Sequence, residues 1–268
     1  MRIGILGAGS IGETLARAID EGKIRASLAA IADQDSARAQ KLALSLKHSP
    51  PVVPHERLVD VSDLVVEAAS QAAVPLVVPL CLARRKSVMV LSVGALLGRE
   101  EWFRQATEQG THLYIPTGAI AGLDAVKAAS LGVIHRAQLS SRKPVAALRD
   151  AKFVVEKGIK LDGLKEDTVI LEGPAEEVCR AFPATSNVAA ALQLALGTSA
   201  RLHVRILASP ALQRNVHEIV IEGEVGTLRM SAENYPMDTN PRTSKIAALS
   251  AIALLRQITQ SVRTYQLI

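Results

Sequence analysis

The first twelve residues constrain this chain more than any other segment. Arg2-Ile3-Gly4-Ile5-Leu6 is a short apolar run that passes directly into Gly7-Ala8-Gly9-Ser10-Ile11-Gly12 and then into a helical stretch to about Asp20. A buried strand, a G-x-G-x-x-G turn and a helix in immediate succession form the opening of a dinucleotide-binding βαβ unit. Glycine permits the tight turn and leaves room for a pyrophosphate to approach the N–H groups that the first helical turn cannot pair. A second apolar run, Leu28 to Ala32, ends at Asp33, twenty-one residues after Gly12. A carboxylate at the tip of the second strand accepts both ribose hydroxyls of NAD and repels a 2′-phosphate. NAD is favoured on this ground, while nearby Arg38 keeps NADP open. The expected cofactor ligands on the adenosine side are Gly7, Gly9, Ser10, Ile11, Gly12 and Asp33.

Further buried-strand candidates follow at Asp63 to Glu67, Ser87 to Leu91 and Thr111 to Pro116, separated by helical stretches. Strands alternating with helices imply a parallel sheet. The expectation is an α/β protein whose N-terminal Rossmann domain, a doubly wound parallel sheet, spans residues 1–115 and is completed by a C-terminal helix within 241–268. Residues 116–240 read differently. Ala137 to Ser141, Ala151 to Val155 and Thr168 to Leu171 look like short strands, and Arg201 to Leu207 and Val216 to Ile221 alternate apolar and polar positions. That alternation predicts a second, α+β domain with an open, mostly antiparallel sheet. A helix is expected from Ser186 to Leu196, and another from Ser244 to Ser261 with Ile246, Leu249, Ile252, Leu255 and Ile258 as the stripe that packs back on the first domain.

Composition removes several function classes. Thirty-one basic against 26 acidic residues give a net charge of +5, spread along the chain without the basic block or aromatic-interleaved stripe that nucleic-acid binding needs. The two cysteines, Cys81 and Cys179, have no metal or disulfide spacing and read as reduced and buried, and no His/Cys/carboxylate cluster suggests a metal site. Glu13, Arg17 and Asp20 interrupt the first twenty residues, which is not a signal-peptide layout, so the cytoplasm is expected. The longest uncharged run, Ala181 to Ala200, carries Pro183, Thr185, Ser186, Asn187 and Gln193 and suits a buried helix better than a membrane span.

A nucleotide domain does not name a reaction. The second half holds Gly118-Ala119-Ile120-Ala121-Gly122-Leu123-Asp124, Ser140-Ser141-Arg142-Lys143-Pro144, Phe182-Pro183-Ala184-Thr185-Ser186-Asn187-Val188-Ala189-Ala190 and Arg214-Asn215-Val216-His217-Glu218, followed by Glu233-Asn234-Tyr235-Pro236 and Asn240-Pro241-Arg242-Thr243-Ser244. In this order and spacing the segments resemble the L-aspartate dehydrogenase family over essentially the whole chain. The resemblance implies NAD- or NADP-dependent, reversible oxidation of L-aspartate to iminoaspartate, which hydrolyses to oxaloacetate and ammonia or feeds NAD biosynthesis. It places the catalytic acid/base at His217 and the residues holding the nicotinamide end at Ala121 and Asn187. It also implies a homodimer through the second domain's sheet, and an active site in a cleft where that sheet faces the nicotinamide.

The residues agree with this and are less specific. Loss of hydride from Cα requires a free amine lone pair, so a base must take the ammonium proton, and histidine titrates in the right range. Of six histidines, His48 and His55 lie in a Pro-rich loop, His112 begins a strand, and His135 and His203 lack a polar partner motif. His217 stands beside Asn215 and Glu218, although a half-exposed strand histidine is the plain alternative. Asn187 is also a helix N-cap candidate, and Gly118 to Gly122 would serve equally as an interdomain turn. The two carboxylates of aspartate need charge-assisted donors. Arg142, Lys143 and Asn215 are the candidates for holding the substrate, with a solvated strand end as the alternative for the basic pair. Two rival functions share the glycine turn: a homoserine-dehydrogenase-like or dihydrodipicolinate-reductase-like oxidoreductase, and a non-catalytic NAD-sensing protein.

Overall fold

The computed structural model describes residues 1–183, 186–237 and 240–260, except the side chains of 241 and 242. Two units are present, one formed by Met1–Pro116 with the chain from Ala248 onward, the other by Thr117–Ala247.

The first unit begins β1 (Arg2–Leu6), α1 (Ser10–Asp20), β2 (Ser27–Ala32), α2 (Ser36–Leu44), α3 (His55–Val61), β3 (Leu64–Glu67), α4 (Val74–Ala83), β4 (Ser87–Val90), a 3-10 turn at Val93–Leu96, α5 (Glu100–Gln109) and β5 (Leu113–Tyr114). All strand pairs are parallel, in the order β2-β1-β3-β4-β5. Strands such as Leu64-Val65-Val66-Glu67 are buried at every position, the burial expected of a parallel sheet covered on both faces. β1 has β2 on one side and β3 on the other, so successive crossovers leave it in opposite directions. A crevice opens at such a reversal, outside the carboxyl ends of the strands.

The second unit contains α6 (Leu123–Ala129), β6 (Ile134–Pro144), α7 (Val145–Leu148), α8 (Lys152–Glu156), β7 (Thr168–Pro174), α9 (Ala175–Ala181), α10 (Asn187–Leu196), β8 (His203–Ser209), β9 (Asn215–Gly223), β10 (Gly226–Asn234), β11 (Pro236–Met237) and β12 (Asn240–Ser244). Its large sheet has the order β10-β9-β6-β8-β7, antiparallel except between β6 and β8. The α/β architecture with a second, mostly antiparallel sheet is thus as the sequence implies.

Two local expectations need correction. The Ala151 to Val155 strand is the short helix α8: only Val154 in it is buried, Val155 is exposed, and Phe153 packs against Phe182 at 5.2 Å between ring centroids. β-Branched composition does not make a strand where no neighbouring strand is offered. The last helix, α11 (Lys245–Thr259), does pack into the first unit's core, through Ala251 and Leu255 with Ile252 and Ile258 beside them, but Ile246 and Leu249 stay 45% and 58% exposed. A three-residue step falls about 60° short of a helical turn, so a strict i+3 series winds around the helix and leaves the packed face. Among the described residues no helix is long and apolar enough to cross a membrane.

Candidate active site

The tips of β1, β2 and β3 converge around the glycine turn. Gly7 turns at φ +106°, its N–H bonding the Ala32 carbonyl at 2.7 Å, and a Cβ there would stand 2.5 Å from the Ala68 carbonyl oxygen. A Cβ on Gly12 would overlap the Gly7 carbonyl oxygen, so α1 approaches the turn this closely only with glycine. Apart from its chain neighbours, no atom lies within 4 Å of where Gly9 would carry a Cβ. That open space adjoins the first turn of α1, where Ser10, Ile11 and Gly12 carry N–H groups without intrahelical acceptors. Asp33 accepts the Ala8 N–H at 2.7 Å through Oδ2 and the Asp35 N–H at 2.8 Å through Oδ1, with the Arg38 guanidinium 3.6 Å from it. Gly7, Gly9, Asp33 and Arg38 line a cavity of about 360 Å³, a size usual for cofactor pockets.

His55, which the sequence places in a Pro-rich loop, opens α3 and also lines this cavity. Ile31 N–H bonds the Pro51 carbonyl and Val53 N–H bonds the Ile31 carbonyl, both at 3.0 Å, so the loop runs beside β2 and delivers His55 to the cavity wall. The only sequence signal was the apolar pair Val52-Val53, too short to read as a strand. Because Asp33 both organises the glycine turn and holds Arg38, Asp33→Ala should move kcat/KM toward NADP and away from NAD by tenfold or more in ratio. Parallel kinetics with the two dinucleotides check this, and an unchanged ratio would remove Asp33 from cofactor choice.

In the second unit, β6 and β9 pair antiparallel with Ser141 opposite His217. Side chains alternate across a strand, so Ser141 and Lys143 share the sheet face that carries Asn215 and His217. His217 is 3% exposed, on the apolar side with Ile219 and Ile221, which rules out a half-exposed strand histidine. Its Nδ1 lies 2.8 Å from the Ser141 Oγ. Burial, and next the Lys143 charge, pull His217 down to about 3, so the imidazole is neutral. Lys143 is equally buried at 3% exposure, pairs with no carboxylate among the described residues, and is lowered to about 8 by desolvation alone. Asn215 directs Nδ2 toward the Ser244 Oγ at 3.4 Å and leaves Oδ1 buried without a partner.

Arg142, one residue along, projects from the opposite face. It pairs there with Glu218, and with Asp167 at 2.9 Å. Lys143 and Asn215 are therefore brought together with His217, and Arg142 is not. The Gly118 to Gly122 loop is fastened to the same sheet: Asn234 Nδ2 donates to the Ala119 carbonyl at 2.7 Å, and Gly122, at φ +75°, sits so close to Met230 that a side chain would collide with it. Gly118 lies beside Val188 in the first turn of α10, and Ala121, three residues further along the loop, is exposed. Asn187 is the first residue of α10, after Ser186 at the N-cap position, so the capping expectation is off by one residue.

A dinucleotide-binding oxidoreductase architecture is the class these features define. Residues 7–116 match the model of the homoserine dehydrogenase NAD binding domain, and residues 124–258 match that of aspartate dehydrogenase, C-terminal. The chain is 48% identical to the L-aspartate dehydrogenase of Methanocella arvoryzae and 45% identical to that of Methanosarcina acetivorans, with 98% of each chain covered. The crystal structure of aspartate dehydrogenase from Thermotoga maritima superimposes with a TM-score of 0.72 over 99% of both chains at 24% identity, a likeness of fold. The chain belongs to the L-aspartate dehydrogenase family.

Proposed function

We propose that this chain is an NAD- or NADP-dependent L-aspartate dehydrogenase, interconverting L-aspartate with iminoaspartate and, after hydrolysis, oxaloacetate and ammonia. The observation that carries the reading is the sheet face of the second unit, where a neutral buried histidine and a buried lysine with no carboxylate partner among the described residues stand together in a family of this activity. An uncompensated buried ammonium calls for an anionic ligand.

The dinucleotide fits the first unit: the opening at Gly9, the unpaired N–H groups of α1 and the Asp33 carboxylate are what a pyrophosphate and a ribose require. Ala121 and Asn187 are assigned to its nicotinamide end. When bound, the cofactor supplies the hydride acceptor.

The chain's own residues account for the rest. Lys143 holds a substrate carboxylate, and Asn215 Oδ1, an unsatisfied acceptor, receives an N–H of the α-ammonium. His217 takes the ammonium proton, freeing the nitrogen lone pair as hydride leaves Cα, and, once it has released that proton to solvent, serves as base again when water attacks the imine. Pairing Lys143 with a carboxylate removes one of the two influences that hold His217 down, so substrate binding itself raises the imidazole toward a range where it can carry a proton. Arg142, already paired on the other face, is left out of the substrate set. The enzyme is assigned to the cytoplasm and to a homodimer, the dimer alone being supported by β10, a nine-residue edge strand with one side unpaired in the sheet.

The test is NADH and NADPH formation by the purified protein with L-aspartate, D-aspartate, L-glutamate, L-alanine and L-homoserine, with the oligomer sized by light scattering. Turnover confined to L-aspartate is expected. Preference for L-homoserine, or dinucleotide binding without turnover on any amino acid, would hand the chain to one of the rival readings, and a monomeric mass would remove the dimer.

A further inference from the structure

Glu67 is the one fully buried carboxylate in the parallel sheet, at 0% exposure, and nothing in the reaction uses it. It stands at the tip of β3, the strand across the topological reversal from β1. Its Oε1 accepts the Ala69 N–H at 2.8 Å and the Ser92 Oγ–H at 2.9 Å, and its Oε2 accepts the Ser92 N–H at 2.9 Å. Three donors therefore converge on the carboxylate, two of them from Ser92, two residues beyond the end of β4. Burial raises its pKa and these hydrogen bonds oppose the rise. The segment it holds is also the floor of the nucleotide cavity. Ala68 donates its N–H to the Leu6 carbonyl at 2.8 Å, its own carbonyl lies against Gly7, and Ala68, Ala69 and Ser70 line the cavity wall.

We infer that Glu67 is a positioning residue for the dinucleotide: its carboxylate clamps the tips of β3 and β4 so that the Ala68–Ser70 backbone meets Gly7 at the distance the bound cofactor requires, without itself reaching the cofactor. The inference rests on reading the cavity as the dinucleotide site. The carboxylate form matters, because every partner except the Ser92 hydroxyl is an N–H donor. A glutamine could satisfy one side only, leaving its NH₂ turned toward either the Ala69 or the Ser92 N–H. A donor facing a donor inside a protein displaces the loop that carries it.

The experiment titrates full-length wild type, Glu67→Gln and Ser92→Ala with NAD and with NADH by calorimetry, alongside melting temperature, kcat and the KM for L-aspartate at saturating dinucleotide. Glu67→Gln should weaken both dinucleotides on the order of tenfold or more, as hydrogen bonds to a charged group are worth. Ser92→Ala, which removes only the hydroxyl, should weaken them two- to fivefold. The KM for L-aspartate should not move. A purely structural defect would instead lower the active fraction, and so kcat, at unchanged dinucleotide affinity. Affinity within twofold of wild type in Glu67→Gln overturns the inference, and if that variant does not fold, unchanged affinity in Ser92→Ala does so. Failure of the wild type to bind either dinucleotide would be a different result, removing the cavity assignment itself.

Discussion

Replacing His217 with alanine is expected to lower kcat on L-aspartate by a factor of about 10²–10⁴, the usual contribution of a positioned acid/base, with dinucleotide affinity unchanged. The reason is geometric: Ser141 occupies Nδ1, which leaves Nε2 as the working nitrogen, and among the described residues no second imidazole shares the face that carries His217, Lys143 and Asn215. The substitution moves an independent observable too. Folded His217 titrates near 3 while the unfolded chain takes its proton near the ordinary value of 6.5, so the unfolded state binds more protons between those limits. Wild-type stability therefore falls as pH drops below about 6.5, by up to ~1.4 kcal/mol per unit from this one group. His217→Gln, which cannot titrate, should flatten that part of the denaturation profile. Activity that survives both substitutions would take His217 out of the mechanism.

Lys143→Met should raise the KM for L-aspartate on the order of a hundredfold, because a charge-assisted hydrogen bond worth about 3 kcal/mol is lost, with a smaller effect on kcat. The pH dependence gives a cleaner signature. Lys143 is held near 8, so its ammonium is present at neutral pH and lost as pH rises through that value. Succinate, a dicarboxylate with no amine to titrate, should inhibit with a Ki that is nearly flat from pH 6.5 to 7.5 and weakens about fivefold between pH 8 and 9. The same inhibitor should show no such limb with Lys143→Met. A flat Ki in the wild type through pH 9 would mean that Lys143 does not carry the substrate anion. Arg142→Ala, by contrast, removes a partner of Glu218 and Asp167 on the other face and should leave the KM for L-aspartate alone.

The residues that could be read in advance are those whose roles are local. Gly7, Gly12 and Asp33 belong to one strand-turn-helix-strand passage, and their spacing alone implies the close approach that the structure contains. The second sheet was legible from alternation in β8 and β9, because an open antiparallel sheet imposes a period of two on its strands. Legibility failed where neighbours decide. Arg142 and Lys143 are indistinguishable as a basic pair in sequence, yet one residue of parity puts them on opposite faces of β6. His55 sat in an unreadable loop until that loop ran beside β2. Glu67 looked like the polar end of a buried strand, and its three donors include two from Ser92, 25 residues away.

Local sequence encodes the βαβ opening, the glycines without which α1 could not reach its turn, and the alternation that separates core from outer face in the second sheet. These follow from backbone sterics and short-range periodicity, which nearby residues encode. Long-range pairing brings Ser141 to His217 across 76 residues, buries Lys143 beside it with no carboxylate partner among the described residues, and leaves the Asn215 Oδ1 there without a described partner. Desolvation and charge coupling depend on which strands become neighbours and in what register, and it is these long-range effects that turn a strand histidine into a buried, neutral imidazole.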